Sequence, residues 1–305
     1  MYICKITTHL TVKNMKKFTY ILIACLISSS AFTQNPTAYR IYNQKGEQVF
    51  FSSMVENLSN AEFVLFGELH DNPIAHWLQL ELTLVLHQRL GERLVLGAEM
   101  FEADNQLILS EYLSGTIGQK RFEEEARLWN NYKTDYKPLV EFAKEKKLPF
   151  IATNIPRRYA SIVATGGFEV LVTLSDEAKR YIAKQPVEYD PELPGYKAML
   201  SMGGMPGKTG ATNDNFPKAQ AIKDATMAQF IVENWKPGRV FIHYHGTYHS
   251  NNFEGIYWYI MRKLPKAKIG TIATVVQEDV EKLSEENLNL ANFIIVVPNR
   301  MTRTY

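Results

Sequence analysis

The sequence predicts an α/β fold, a mostly parallel sheet flanked by helices, with an inserted helical subdomain. Two observations carry that expectation. Short apolar runs of strand length alternate with stretches of helical periodicity, which is the pattern of βα units whose strands are covered by helices. Two further stretches, about residues 103–136 and 158–215, are too long for simple crossovers, and structureless loops of that length are uncommon in compact domains. They are assigned to a helical subdomain inserted over one edge of the sheet.

The elements follow in order. Met15-Lys16-Lys17, an apolar stretch over residues 18–27 and the small residues 28–33 have the three-part layout of an export signal, with residues 1–14 as an upstream extension. Cleavage after about Thr33 would release a soluble protein; Leu22-Ile23-Ala24-Cys25 also resembles a lipoprotein box in which Cys25 would be acylated. The short apolar stretch before Cys25 and the bulky Leu26 after it favour simple secretion. The folded domain is expected over 36–305. Cys4 and Cys25 are the only cysteines and both precede it, which excludes disulfides, thiolate metal sites and cysteine nucleophiles from the domain. Residues 39–42 and 48–51 flank the turn "NQKGE" and read as a hairpin at the sheet edge. Strands are expected at 63–66, 94–98, 150–153, 240–244, 269–276 and 293–297, and helices at 74–90, 137–146, 219–235 and 253–264. Beyond the N-terminus no apolar run approaches the ~20 residues that span a bilayer. The 34 Lys and Arg nearly balance the 32 Asp and Glu, and without a basic stripe no nucleic-acid partner is indicated.

Ligands of parallel sheets bind where the strands end and their loops diverge. Here the strand ending at Phe66 is followed by Glu68, His70 and Asp71, and the one ending at Ala98 by Glu99 and Glu102. The strand ending at Thr153 is followed by Asn154, Arg157 and Arg158, and the strand from Val240 runs into His243, His245 and His249. Ionisable side chains therefore gather at one rim. Gly67 in "FGELHDN" and Gly246 in "HYHGTYHSN" each stand three residues before a histidine, and glycine there permits a positive φ or a close backbone approach. Imidazoles with carboxylates suit zinc, manganese, cobalt or iron, so Glu68, His70, Glu99 and His249 form a candidate metal shell, with His245 in reserve. A carboxylate left uncoordinated could act as a general base. Arg157 could hold a substrate carboxylate.

Plainer roles stand beside these. Asp71 or Asn72 before Pro73 makes a helix N-cap. His87 reads as a surface histidine, and His76, nearer the rim, is balanced between site and scaffold. His243 and His245 project the same way from a strand, so one of them is suited to a buried, hydrogen-bonded role. Met199, Met202 and Met205 could line an apolar ligand or pack on their own domain.

Taken together, "VLFGELHDN", "GAEMF", "NIPRR", "AIKDATMAQFI" and "IHYHGTYH" resemble the ChaN-like haem-binding uptake proteins of the Tiki/TraB and erythromycin-esterase-like superfamily, over roughly residues 61–264. The resemblance implies an α/β core and a rim site built from two Gly-x-x-His elements and an acid, here Gly67, His70, Gly246 and His249 with Glu68 and Glu99; Asp224 lies in the matching helix. In the ChaN branch it implies an exported or lipid-anchored protein, periplasmic or membrane-attached, that binds haem in haem or iron uptake. The expected partners are a haem or iron source, outer-membrane uptake components and a second copy of the chain in a dimer. Haem needs an axial ligand, an apolar slot and cations for its propionates. Tyr132, Tyr136, Tyr189, Tyr196, Tyr244 and Tyr248 are conceivable ligands; Arg157, Asn154, His245, Asp224 and Tyr196 make up the expected ligand-binding set. In the Tiki branch the resemblance implies a metal-dependent hydrolase or peptidase, with Glu68, His70, Glu99 and His249 catalytic around a divalent ion such as Mn, Co or Zn.

Overall fold

The computed structural model describes residues 37–202 and 215–305. The expected export signal with Cys4 and Cys25, and Met205, lie outside the described residues. Seven strands form one sheet in the order β1-β7-β6-β2-β5-β3-β4: β1 (Arg40–Asn43), β2 (Phe63–Glu68), β3 (Leu94–Glu102), β4 (Phe150–Asn154), β5 (Val240–Gly246), β6 (Ile269–Gln277) and β7 (Phe293–Pro298). All neighbours pair in parallel except β1, which runs antiparallel to β7 at the edge.

Side chains alternate between two large apolar cores, one on each face of the sheet, with a smaller third cluster of Tyr42, Val280, Leu283, Ile294 and Val296 at β1 and β7, which is why the strands read as unbroken apolar runs. On one face Val64, Phe66, Ile242 and Tyr244 meet α1 (Phe51–Leu58), α2 (Pro73–Leu90), α3 (Gln106–Leu113), α4 (Gln119–Glu125) and α5 (Lys137–Lys146) through Leu58, Leu82, Leu109, Phe122 and Val140. On the other, Phe63, Leu65, Val95 and Phe241 meet α6 (Arg157–Gly166), the short α7 (Asp176–Lys179) with its neighbours, α9 (Asn215–Asn234) and α10 (Ile256–Lys263) through Val163, Ile182, Ile222 and Ile260. The two long polar stretches thus pack on opposite faces: Leu109 and Phe122 of the first join one core, Val163, Leu171 and Ile182 of the second join the other. The second continues into α8 (Pro194–Met202).

The second arm of the expected hairpin is shorter than 48–51. Gln48 bridges Tyr42 antiparallel and the Val49 amide donates to the Ile41 carbonyl at 2.9 Å, and the chain then enters α1, burying Met54, Val55 and Leu58. That spacing is helical, and β1 finds its full ladder on β7 instead. Asn72 caps α2, its side-chain oxygen accepting from the Ile74 and Ala75 amides ahead of Pro73. Asp71 instead accepts a hydrogen bond from Arg303. Among the described residues no helix is long and apolar enough to cross a membrane.

Candidate functional site

The carboxyl ends of β2, β5, β3 and β4 bring the two Gly-x-x-His elements together. Neither motif glycine has a positive φ; close approach is what both require. A Cβ on Gly67 would stand 2.8 Å from the Thr247 Cα and 2.9 Å from the Ile272 carbonyl oxygen, and one on Gly246 would stand 2.8 Å from His70 Nε2 and 3.6 Å from Glu99 Oε2. The gap left over Gly246 is therefore where His70 and Glu99 face each other.

On one side, Glu68 is buried at the end of β2. Its Oε1 accepts from His70 Nδ1 at 2.9 Å and from the Tyr136 hydroxyl, and its Oε2 accepts from Gln79 Nε2. Burial works to raise the Glu68 carboxyl, but His76, His70 and Tyr136 outweigh it and hold it below the ordinary range. Burial works to lower the His70 imidazole, and the Glu68 hydrogen bond with the Glu99 charge overcomes this and raises it. Trp129 meets the His70 ring edge-on at 4.8 Å. His76 is buried; it contacts Gln79 Oε1 at 3.0 Å and the His70 carbonyl oxygen at 3.1 Å, which ties α2 to the His70 loop.

On the other side, the His249 ring lies between two acids, Asp224 Oδ1 at Nδ1 and Glu99 Oε1 at 3.2 Å from Nε2. Burial pulls the imidazole down, but Glu99 and Asp224 push it up to about 10. Burial also works against the Glu99 carboxylate, yet His249, His70 and the Gly246 amide at 2.8 Å hold it well below the carboxylate range. Asp224 is raised, because burial is only partly offset by His249 and by the Tyr196 hydroxyl that donates to Oδ2 at 2.8 Å. At neutral pH His249 is an imidazolium clasped by carboxylates, and the Glu99 charge also acts on His70.

The remaining expected residues fall in distinct places. Asn154 donates to the Glu99 carbonyl at 3.0 Å while its buried Oδ1 has no partner among the described residues. Arg157 opens α6 and is exposed; Arg158 pairs with Asp104 at 2.8 Å. Tyr196 is buried against Asp224. His245 is fully buried with both ring nitrogens engaged, Nδ1 by His243 and Nε2 by Ser250. Of the tyrosines weighed as ligands, Tyr132, Tyr136, Tyr196 and Tyr244 are buried and Tyr189 is half-buried, while Tyr248 is 72% exposed beside His249. His87 is half-buried against Phe142, and Met199 is half-buried on α8. Glu68, His70, Glu99 and His249 do converge, as two hydrogen-bonded groups that face each other over Gly246. Among the described residues no three such side chains form an open ligand set for one ion.

Sequence reasoning missed several participants. Gln220 Nε2 lies 2.9 Å from His249 Nδ1, and its place one turn before Asp224 on α9 was the available signal. Gly255 has φ +53°, and a Cβ there would stand 2.3 Å from the His249 carbonyl oxygen, so only glycine lets the chain turn back over that residue. Trp129 and Gln79 carried no motif.

Residues 54–260 match the family of haem-binding uptake proteins of the Tiki superfamily, ChaN. The chain belongs to that family. Among solved structures, the ChaN of Campylobacter jejuni, known for cofacial heme binding, aligns over 87% of this chain and 98% of its own with a TM-score of 0.64 and 18% identity, which shows a shared fold. A succinoglycan biosynthesis protein aligns over 88% of this chain and 96% of its own (TM-score 0.48, 12% identity), and a mutant of the erythromycin esterase EreC in its open conformation over 86% and 83% (TM-score 0.43, 14% identity). No curated protein sequence matches the chain.

Proposed function

We propose that the protein binds haem at this rim, as an exported carrier in haem or iron uptake. The observation that carries the reading is Tyr248, an exposed phenol on the residue that precedes the buried His249 imidazolium. An oxygen ligand to ferric iron must be reachable, and Tyr248 meets that condition where the buried tyrosines do not. The surroundings fit the rest of a haem. Phe216 is 50% exposed on α9, one turn before Gln220, which touches His249, and Trp129 flanks His70. Exposed Arg157 at the start of α6 is suited to a propionate. Tyr248 would hold the iron, Phe216 and Trp129 would border the porphyrin, and His70 and His249 would set the charge around it. Bound haem would supply a ferric centre to Tyr248 and is the cargo of the protein. An aromatic face of this kind favours a homodimer. Export, with release into the periplasm or lipid anchoring at Cys25, and delivery from a haem source to outer-membrane uptake components complete the reading. Its membership of a haem-binding uptake family supports it.

The test is a visible-absorption titration of the mature protein with haem, repeated on Tyr248→Phe. Saturable binding with a tyrosinate-type spectrum that disappears in the variant is expected. A wild-type protein with no saturable change would refute the reading.

A second reading is a metal-dependent hydrolase of the Tiki type, using Mn, Co or Zn. The His70 imidazole carries the Glu68 carboxylate at Nδ1, the arrangement that orients a general base. Its measure is metal content, which should fall when His70 and His249 are both replaced by alanine; equal metal in the two proteins would reject it.

A further inference from the structure

Behind the rim, four buried polar groups form a continuous chain through the core. Thr153 Oγ1 lies 3.0 Å from the Ala98 carbonyl oxygen and 2.6 Å from His243 Nε2; His243 Nδ1 lies 3.0 Å from His245 Nδ1; His245 Nε2 lies 2.8 Å from Ser250 Oγ. Each side chain is at most 1% exposed. The rim chemistry uses none of these contacts, and burying two imidazoles costs free energy unless they are fully paired.

The protons of the chain can be counted. A carbonyl oxygen only accepts, so the single Thr153 hydroxyl proton goes to Ala98 and Thr153 must accept from His243 Nε2–H. His243 Nδ1 is then bare and must accept from His245 Nδ1–H. His245 Nε2 is bare in turn, and the Ser250 hydroxyl must donate to it. Every group is satisfied with both rings neutral, and no nitrogen is left over. Burial lowers both imidazoles, His245 to about 3, in keeping with neutral rings.

Ser250 is the residue after His249. The turn that carries Thr247, Tyr248 and His249 is closed by the Ser250 amide to the Thr247 carbonyl at 3.2 Å and by Thr247 Oγ1 to Asn251 Oδ1 at 2.7 Å. Besides His249 on Glu99, the turn is tied to the sheet by the Ser250 hydroxyl on His245. We propose that Thr153, His243, His245 and Ser250 are positioning residues, a directional hydrogen-bond chain that anchors the 247–250 turn and so seats His249 between its acids and holds Tyr248 outward. Any consequence for haem rests on the function proposed above; the anchoring itself does not.

The test uses the mature chain and Ser250→Ala and Ser250→Thr variants. Nitrogen NMR of wild type should find the proton on Nε2 of His243 and on Nδ1 of His245. Losing the donor leaves a buried acceptor unpaired, so in Ser250→Ala amide exchange at 247–250 should quicken by about tenfold while β7 amides stay at wild-type rates. Ser250→Thr, which keeps the hydroxyl, should restore the turn. Reversed tautomers, or unchanged exchange at 247–250 in a folded Ser250→Ala protein, would overturn the proposal. Should Ser250→Ala fail to fold, Thr153→Val provides the check from the far end: the His243 proton loses its acceptor, and the pair should reverse so that His245 carries its proton on Nε2. A His245 still protonated on Nδ1 in that variant counts against the chain. Haem binding separates the two ideas. Faster exchange with weaker haem binding supports both, whereas faster exchange in a chain whose wild type binds no haem supports the anchor and removes the haem reading.

Discussion

Raising the pH should weaken the fold through His249, and replacing that residue by glutamine should remove the effect. The ring is pushed from 6.5 up to about 10 in the folded chain. A histidine raised in this way stabilises fully below its unfolded pKa, and the contribution is lost as pH climbs through the folded one. At about 1.4 kcal/mol for each tenfold change in proton affinity, the rise corresponds to roughly 5 kcal/mol lost by the upper end of the window. Between about pH 7.5 and 9.5 wild type should therefore lose roughly 3 kcal/mol relative to His249→Gln. The variant is less stable at neutral pH, because Glu99 and Asp224 lose the cation between them, so the informative quantity is the slope. Urea denaturation followed by tryptophan fluorescence at closely spaced pH values measures it. Glu99 is already ionised throughout this window and adds no slope. Stability curves for the two proteins that run parallel across the window would refute the reasoning, since they would mean that His249 is not charged between its acids.

Two further outcomes are expected. Gly246→Ala puts a methyl 2.8 Å from His70 Nε2; the imidazole can swing aside, so stability should fall by about 1–3 kcal/mol while the ring loses its place opposite Glu99, seen as a changed His70 imidazole resonance in a folded protein. Asn72→Ala removes the side-chain acceptor of the Ile74 and Ala75 amides and should cost about 1 kcal/mol in denaturant melts, with haem binding affected little because His70 is held separately through Glu68.

Much of this arrangement was legible because parallel strands leave plain marks. Strands buried on both faces have to be largely apolar, so the runs 63–66 and 240–244 stood out, and the rule that ligands gather at strand ends put Glu68, His70, Glu99 and His249 on one rim. The motif glycines were also readable, although what requires them is tertiary packing: another chain segment fills the Cβ space of Gly67, and the His70 ring that of Gly246. What stayed hidden depends on contacts between distant residues. Nothing local says that Asp224, on a packing helix, completes His249 25 positions away, or that Tyr136 donates to Glu68 across 68 positions. The hairpin arm expected at 48–51 gives way at Phe51 to the helix Phe51–Leu58, whose three buried apolar residues Met54, Val55 and Leu58 make too short a helical pattern to stand out beside the turn sequence. Tyr248 was one tyrosine among several until burial separated it from the rest.

The end of β5 also bears on why the rim has the charge it does. His243, His245 and His249 are all buried, so burial alone would make each of them neutral. The partner chemistry divides them. His243 and His245 meet a hydroxyl at each outer nitrogen and each other between, none of which repays a positive charge, and they stay neutral. His249 meets Glu99 and Asp224 and is held as a cation. Within a few residues the strand thus changes from an uncharged anchor to a charged site, and the change requires no difference in solvent access. A neutral anchor suits that position, because a second fixed cation behind His249 would repel its proton and weaken its hold on Glu99. The orientation of Tyr248 and the charge beside it are then set by different side chains, so Ser250 and Asp224 can be varied separately to test each.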